Sequence, residues 1–274
     1  MDNKRDSLYS TTCPNQADFS FDESVAAVFP DMLARSIPGY AGIIAQTGLL
    51  AARFAQTGTT LYDLGCSLGA TSLAMQTALA EKQRNLNSVL EESYRILAVD
   101  SSAAMIARCQ SILDQRAFKS SIPIQLLETD LEQLPIRNAS VVAMNFTLQF
   151  VKPDKRDALM QRIADGLQPG GVLILSEKIC FCNDDVDRLF IEMYHAYKKA
   201  NGYSDLEISQ KRTALENVLV PDTLEQHERR LQQSGFSSCH VWFQCFNFIS
   251  LIAFKRPSSE SIESLDKSVR DSAR

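Results

Sequence analysis

Five polar residues define the chemistry open to this chain: Asp63, Asp100, Asp130, Asn145 and Glu177. Each stands at or just beyond the end of a short apolar run: Leu61-Tyr62, Ile96–Val99, Ile124–Leu127, Ser140–Met144 and Val172–Ser176. Short apolar runs bounded by polar residues read as buried parallel strands, and open sheets of such strands bind ligands at their carboxyl ends. A single one of these residues is an ordinary turn residue. Their recurrence at successive strand ends gives a row of acceptors and one amide, which suits a ligand rich in donors such as a diol, an amine or an ammonium.

Asp63 opens the most informative segment, Asp63-Leu64-Gly65-Cys66-Ser67-Leu68-Gly69, and a helical run from Thr71 to Leu79 follows. In a strand–glycine-rich turn–helix unit the backbone approaches a ligand closely and the helix N-terminus adds partial positive charge. A carboxylate at the mouth would repel a pyrophosphate, whereas it suits an ammonium or sulfonium. A dinucleotide site would also favour glycine where Ser67 stands. The pattern acid-x-Gly-x-x-x-Gly resembles the first motif of enzymes that use S-adenosyl-L-methionine (SAM). On that reading Asp63 faces the ammonium of the methionine part, directly or through water, while Gly65, Cys66 and Ser67 offer backbone. Asp100 accepts from the ribose diol, Asp130 with Leu131 holds the adenine, and Asn145 lies at the reactive centre. Tyr40, at the Pro38-Gly39 turn, either reaches the pocket or only packs its own layer.

The elements that must hold these residues follow from the pattern around them. Short helices are expected at Val25 to Phe29, Asp31 to Ser36 and Tyr40 to Phe54, punctuated by Pro30 and Pro38-Gly39. Residues 78–92 read as a polar insertion between the first helix and the second strand. Beyond the fifth strand the pattern turns helical (Asp185 to Ala200, Ser204 to Val218, Asp222 to Gln233). Two aromatic-rich strands, Ser238 to Cys245 and Phe248 to Phe254, then form an antiparallel hairpin at the sheet's edge. The expected fold is α/β, a doubly wound Rossmann-like SAM-methyltransferase fold, with a mostly parallel sheet, an N-terminal helical layer and inserted helices. Its expected division is a flexible N-terminus over 1–19 and a SAM-binding catalytic domain over 20–256, followed by a disordered tail over 257–274. Within the domain, 20–57 is a helical cover and 184–235 a helical addition.

Composition narrows the partners. The 274 residues carry a net charge of −5 with 45% hydrophobic and 22% charged residues, which favours a small-molecule substrate over a nucleic acid. Seven cysteines, three histidines and no Cys-x₂₋₄-Cys pair argue for reduced thiols in a cytoplasm and against a metal site, although Cys180-Phe181-Cys182 and Cys239-His240 are noted. No run is apolar enough to span a membrane. The apolar residues Leu189, Phe190, Met193 and Tyr194 in the helical addition serve either a homodimer interface or internal packing.

Across residues 5–255 the chain resembles the bacterial carboxy-S-adenosylmethionine synthases. The resemblance is carried by Phe21-Asp22-Glu23, Val28–Met32, Arg35-Ser36, Pro38-Gly39-Tyr40, Tyr62–Gly69, Asn145–Phe150, Leu175–Lys178, Ala200–Ser204, Leu206–Arg212 and Trp242–Phe248. It implies a reaction other than methyl transfer, in which SAM and prephenate give carboxy-SAM and phenylpyruvate. The product then serves a tRNA carboxymethyltransferase that modifies wobble uridine. It implies SAM contacts at Tyr40, Gly65, Cys66, Ser67, Asp100, Ser101, Asp130, Leu131, Asn145 and Arg212. By spacing alone Arg212 is a solvated helix charge beside Lys211; under the resemblance it pairs with the new carboxylate, a task no methyltransferase requires. Prephenate carries two carboxylates, for which Arg35, Lys178 and Lys211 are candidates. Tyr203 and Glu207 are candidates for proton handling, or surface residues of a helix. Two departures are the long stretch between Gly69 and Asp100, and Ser101 where relatives carry Asn. The rival readings are a SAM-dependent methyltransferase of a small molecule and a non-catalytic SAM-binding partner of an RNA-modifying enzyme.

Overall fold

The computed structural model describes residues 4–12, 18–85, 94–116 and 120–257. The expected tail over 257–274 lies outside the described residues apart from Pro257, as do residues 86–93 of the expected insertion. A seven-stranded sheet has the order β3-β2-β1-β4-β5-β7-β6. Its strands are β1 (Thr60–Leu64), β2 (Arg95–Asp100), β3 (Ile124–Glu128), β4 (Ala139–Asn145), β5 (Leu167–Lys178), β6 (Phe236–Cys245) and β7 (Phe248–Lys255). The first five are parallel, β7 runs antiparallel to β5, and β6 and β7 form the edge hairpin.

Helices cover both faces: α1 (Glu23–Ser36), α2 (Tyr40–Phe54), α3 (Ala70–Asn85), α4 (Ala103–Asp114), α5 (Pro153–Gly166), α6 (Asp184–Ala200), α7 (Asp205–Leu215) and α8 (Leu224–Gln233). The central strands β1 and β4 are buried almost throughout, so their apolar runs are continuous rather than alternating. One apolar cluster joins them to α5 and the β5–β7 pair, and a second joins them to α2 and α3. Gly48 lets α2 lie directly on α3, because a Cβ there would stand 2.7 Å from the Ala74 carbonyl oxygen.

Two expectations change. Pro30 does not divide the first helical stretch; α1 runs through it, with Asp22 accepting from the Val25 amide as its N-cap. Proline removes one helical hydrogen bond, and the burial of Val25, Val28, Phe29 and Met32 against Phe19, Leu68 and Met105 outweighs that loss. Likewise α3 continues to Asn85, so 78–85 is helix and not irregular insertion.

Residues 4–12, expected to be loose, are tied to the body of the protein. The Gln210 amide donates to the Tyr9 and Thr11 carbonyl oxygens at 2.8 and 2.9 Å. Asp6 is 1% exposed; its amide donates to Asp31 and its carboxylate accepts from the Tyr203 hydroxyl at 2.5 Å.

Candidate active site

A cavity of about 820 Å³ opens at the carboxyl ends of the parallel strands, within the range of small-molecule sites. Among the sequence-predicted residues its wall contains Tyr40, Gly65, Cys66, Ser67, Asp100, Ser101, Asp130, Leu131, Asn145, Lys178, Lys211 and Arg212. Strand ends, an N-terminal helix and the helical addition therefore converge on one space.

The glycine-rich turn is fixed by its neighbours. Gly65 takes φ +76, and a Cβ on it would lie 2.2 Å from the Thr147 hydroxyl oxygen, so no larger residue fits. Ser67 also has a left-handed backbone, φ 47, held by its amide donating to Asp100 Oδ2 at 2.9 Å. The other Asp100 oxygen accepts from the Ser102 amide at 2.9 Å. A carboxylate offers about four lone-pair positions. Two remain, and they suit a vicinal diol.

Asp130 is held by the Glu132 amide, which donates to its Oδ1 at 2.8 Å, and the Leu131 carbonyl accepts from Arg162 at 2.8 Å. Asn145 is locked by a hydrogen-bond chain: its Nδ2 donates to Thr71 at 3.0 Å, while the Ser176 hydroxyl donates to its Oδ1 at 2.7 Å. Ser176 in turn shares a 2.7 Å hydrogen bond with Ser250, and both are fully buried.

Five predicted residues do not reach the cavity, Glu177 among them. Asp63 is 1% exposed, and its Oδ2 accepts from the amide and hydroxyl of Ser72 at 2.9 and 2.6 Å, so it holds the start of α3 and acts on the cavity through its field alone. Burial pushes its carboxyl up to about 7 against those two bonds, with the Asp100 charge adding to the rise. Tyr203 lies behind the wall, its ring 3.8 Å from the Arg35 guanidinium carbon. Arg35 is spent on Asp31, the Asp6 carbonyl and the Asn201 carbonyl. Glu207 closes the capping box of α7 with Ser204. A side chain already engaged at a helix start or in an ion network is not available to a ligand.

Glu177, the fifth strand-end residue, is also structural. Its carboxylate accepts from the amides of Thr147, Leu148 and Gln149 and so caps the 3₁₀ turn Leu148–Phe150. That turn is clamped from below by Arg156, fully buried, which pairs with Asp222 at 2.7 Å and donates to the Gln149 and Val220 carbonyls.

The sequence reading missed the contribution of α6. Ile191, Tyr194, His195 and Lys198 all line the cavity, at spacings that place them on one helix face. Lys198 is 5% exposed, and burial pushes its ammonium down to about 7, with Lys211 and Lys178 lowering it further. Lys211, 6% exposed, is pushed down to about 8 by burial against the Asp6 carboxylate 3.7 Å away. Lys178 is lowered by burial too, and His195 by burial and by Lys198, Lys178 and Arg212. The periodicity Ile191-x-x-Tyr194-His195-x-x-Lys198 was the available signal.

The cavity is therefore bipolar. Acids Asp100, Asp130 and Glu132 stand at the β2 and β3 ends, and Lys178, Lys198, Lys211 and Arg212 gather beyond β5. Four strand spacings separate β3 from β5, about 19 Å at ~4.8 Å each. Such a site accepts a long ligand with donors at one end and an anion at the other. Among the described residues no group of three His, Cys, Asp or Glu side chains is placed to hold a metal ion, and no helix is long and apolar enough to cross a membrane.

Comparison with known proteins places this geometry. Solved structures that share the fold include human N-acetylserotonin methyltransferase in complex with SAM (13% identity, TM-score 0.54, 85% of this chain and 55% of that one) and magnesium protoporphyrin IX methyltransferase from Synechocystis PCC 6803 (15% identity, TM-score 0.54, 82% and 87%). A family model described as a methyltransferase domain matches residues 61–171. Over longer spans the chain is 53% identical to the carboxy-S-adenosyl-L-methionine synthase of Trichlorobacter lovleyi, covering 93% of this chain and 100% of that protein. It is 50% identical to those of Photorhabdus laumondii (92% and 95%) and of Vibrio cholerae O395 (92% and 98%). With a SAM-type fold and relatives matched along nearly their whole length, the chain belongs to the carboxy-S-adenosyl-L-methionine synthase family.

Proposed function

We propose that this protein converts SAM and prephenate to carboxy-SAM with release of phenylpyruvate, in the cytoplasm, for a tRNA carboxymethyltransferase acting on wobble uridine. The observation that carries this reading is the cluster Lys178, Lys198, Lys211 and Arg212 on the wall opposite the acids. A methyl group on a sulfonium is already electron-poor, so a methyltransferase gains nothing from four cations, whereas a dianionic substrate and a carboxylated product do.

SAM is a substrate here, and the residues present fit it. Asp100 keeps two lone pairs for the ribose diol, Ser101 follows it, and Asp130 with Leu131 meets the adenine. Gly65, Cys66 and Ser67 bring backbone against the methionine part, and the buried carboxyl of Asp63 supplies negative potential behind it. Tyr40 and Asn145 bound the reactive centre. Burial and the Asp63 charge hold the Tyr40 phenol well above its usual range, so it stays a neutral donor.

Prephenate loses carbon dioxide and its ring hydroxide as it aromatises to phenylpyruvate. The hydroxide, or a nearby base, takes one proton from the SAM methyl, and the resulting carbanion captures the carbon dioxide; hydroxide plus proton leaves water. Arg212 pairs with the carboxylate that forms. The chain supplies proximity, electrostatic preorganisation and an apolar lining of Phe21, Phe146, Phe150 and Phe248 that keeps water from competing for carbon dioxide. A second copy of the chain docks on the outer face of α6, where Leu189 and Met193 stay exposed while Phe190 and Tyr194 pack within the chain.

The test is to incubate purified protein with SAM and prephenate and to weigh the products. A species of SAM plus carbon dioxide together with phenylpyruvate is expected. Loss of the SAM methyl would favour a methyltransferase, and no phenylpyruvate would favour a scaffold.

A further inference from the structure

Resting on that reading, we propose that Lys198, seated with Lys178 around the ring of Tyr194, is the receptor for the carboxylate that the second substrate keeps through the reaction.

Three observations carry it. Lys198 is 5% exposed and faces the cavity, yet among the described residues no carboxylate lies within ion-pair distance of its ammonium and no side-chain hydrogen bond engages it. Its one close partner is the Tyr194 ring, 4.5 Å from Nζ to the centroid, with Lys178 Nζ 5.2 Å from the same centroid. Two other cations of this region are already engaged: Lys211 has Asp6 and Ser36 at 3.7 and 3.4 Å, and Arg35 has Asp31. Burying an ammonium without a counter-charge is expensive, and an arriving anion removes that penalty.

The chemistry of prephenate decides which anion. Its ring carboxylate leaves as carbon dioxide and must start beside the SAM methyl, at Arg212. Its 2-oxo carboxylate branches from the same ring carbon through a three-carbon arm and survives in phenylpyruvate. Receptors for the two must therefore be neighbours rather than opposite walls. Lys198 and Arg212 meet this condition, since both line the same part of the cavity beyond β5 together with His195.

The groups facing Lys198 are Tyr194 and His195 on its own helix, Lys178 from β5, Lys211 from α7 and Asp6 from the N-terminal segment; the Tyr203 amide donates to the Lys198 carbonyl oxygen, and Arg212 from α7 acts on His195. Burial and these cations push Lys198 down to about 7. Binding an anion there draws a proton from solution near neutral pH, and affinity weakens as pH rises.

The experiment uses full-length wild type, Lys198→Met and Lys198→Arg, each saturated with SAM. Phenylpyruvate binding is measured by calorimetry at pH 6.5 and 8.0, and KM for prephenate by steady-state assay. Lys198→Met should weaken phenylpyruvate about ten- to a hundredfold at pH 6.5, raise KM for prephenate by a similar factor, and leave SAM affinity unchanged. It should also reduce proton uptake on binding. Lys198→Arg should recover most of the loss, and methionine should leave the melting temperature unchanged or raised because a buried charge is gone. Unchanged phenylpyruvate affinity in Lys198→Met overturns the proposal. So does weakened prephenate with normal phenylpyruvate, which would assign Lys198 to the transferred carboxylate. If wild type makes no carboxy-SAM, the activity reading fails by itself, and the phenylpyruvate isotherms still decide the receptor. If wild type binds no phenylpyruvate, the receptor proposal falls, while the activity reading still stands or falls on its products.

Discussion

At the β1–β3 end of the cavity the polar groups sit at the tips of strands and are pinned by backbone amides: Asp100 by Ser67 and Ser102, Asp130 by Glu132. At the β5 end only Lys178 comes from a strand; the other charges come from helices α6 and α7, and they are set by residues from far along the chain, such as Asp6 against Lys211. The acidic end is rigid and built from local sequence; the basic end is assembled by packing. A nucleoside half of constant shape needs fixed acceptors. A reactive anion that must arrive, fragment and depart is better served by ammonium groups on flexible stems, whose own protonation responds to it.

Breaking each end in turn should give unlike results. Arg212→Ala should produce the largest change, a loss of carboxy-SAM affinity of about thirtyfold or more with plain SAM little affected, because Arg212 is exposed in the free protein and is desolvated only when the carboxylate pairs with it. Competition binding of the two ligands would show it. Asp100→Asn should weaken SAM by roughly ten- to a hundredfold while phenylpyruvate binding persists, a split that calorimetry resolves.

The two ends should also titrate in opposite directions. Asp63 is pushed up to about 7, so its negative potential grows as pH rises through neutrality and SAM affinity rises with it. Lys198 and Lys211 are pushed down to about 7 and 8, so anion affinity falls over the same range and just above it. A bell-shaped kcat/KM profile with a maximum near neutrality is expected, and Asp6→Asn should move its alkaline limb to lower pH by removing the charge that keeps Lys211 protonated. The smallest effect is reserved for Tyr203→Phe. It removes one hydrogen bond to Asp6, about 1 kcal/mol of stability by thermal unfolding, and should leave turnover within a few-fold.

This contrast also explains what could be read before the structure. The order of strands, the edge hairpin and the acceptors Asp100, Asp130 and Asn145 follow from period and punctuation, because a strand end is defined by its own few residues. Arg212 was legible only through family resemblance. Asp63 was placed on the right element but on the wrong side of it, since nothing local says that Ser72 will claim its oxygen. Lys198 went unread because a lysine near the end of an amphipathic helix ordinarily caps it or snorkels to solvent. Only the docking of α7 and the N-terminal segment over that helix buries it.

The bond between Asp6 and Tyr203 spans 197 residues of sequence, as does the one between Arg5 and Gly202. On the ribosome, the N-terminal segment therefore waits for most of the protein to be made before its partner exists. During that wait the strands that carry the acidic end can already pair in order. Phe248, from the seventh strand, completes the cavity wall later still. The acids of the cavity are thus synthesised before its cations, so the end that selects the nucleoside is translated ahead of the end that handles the anion.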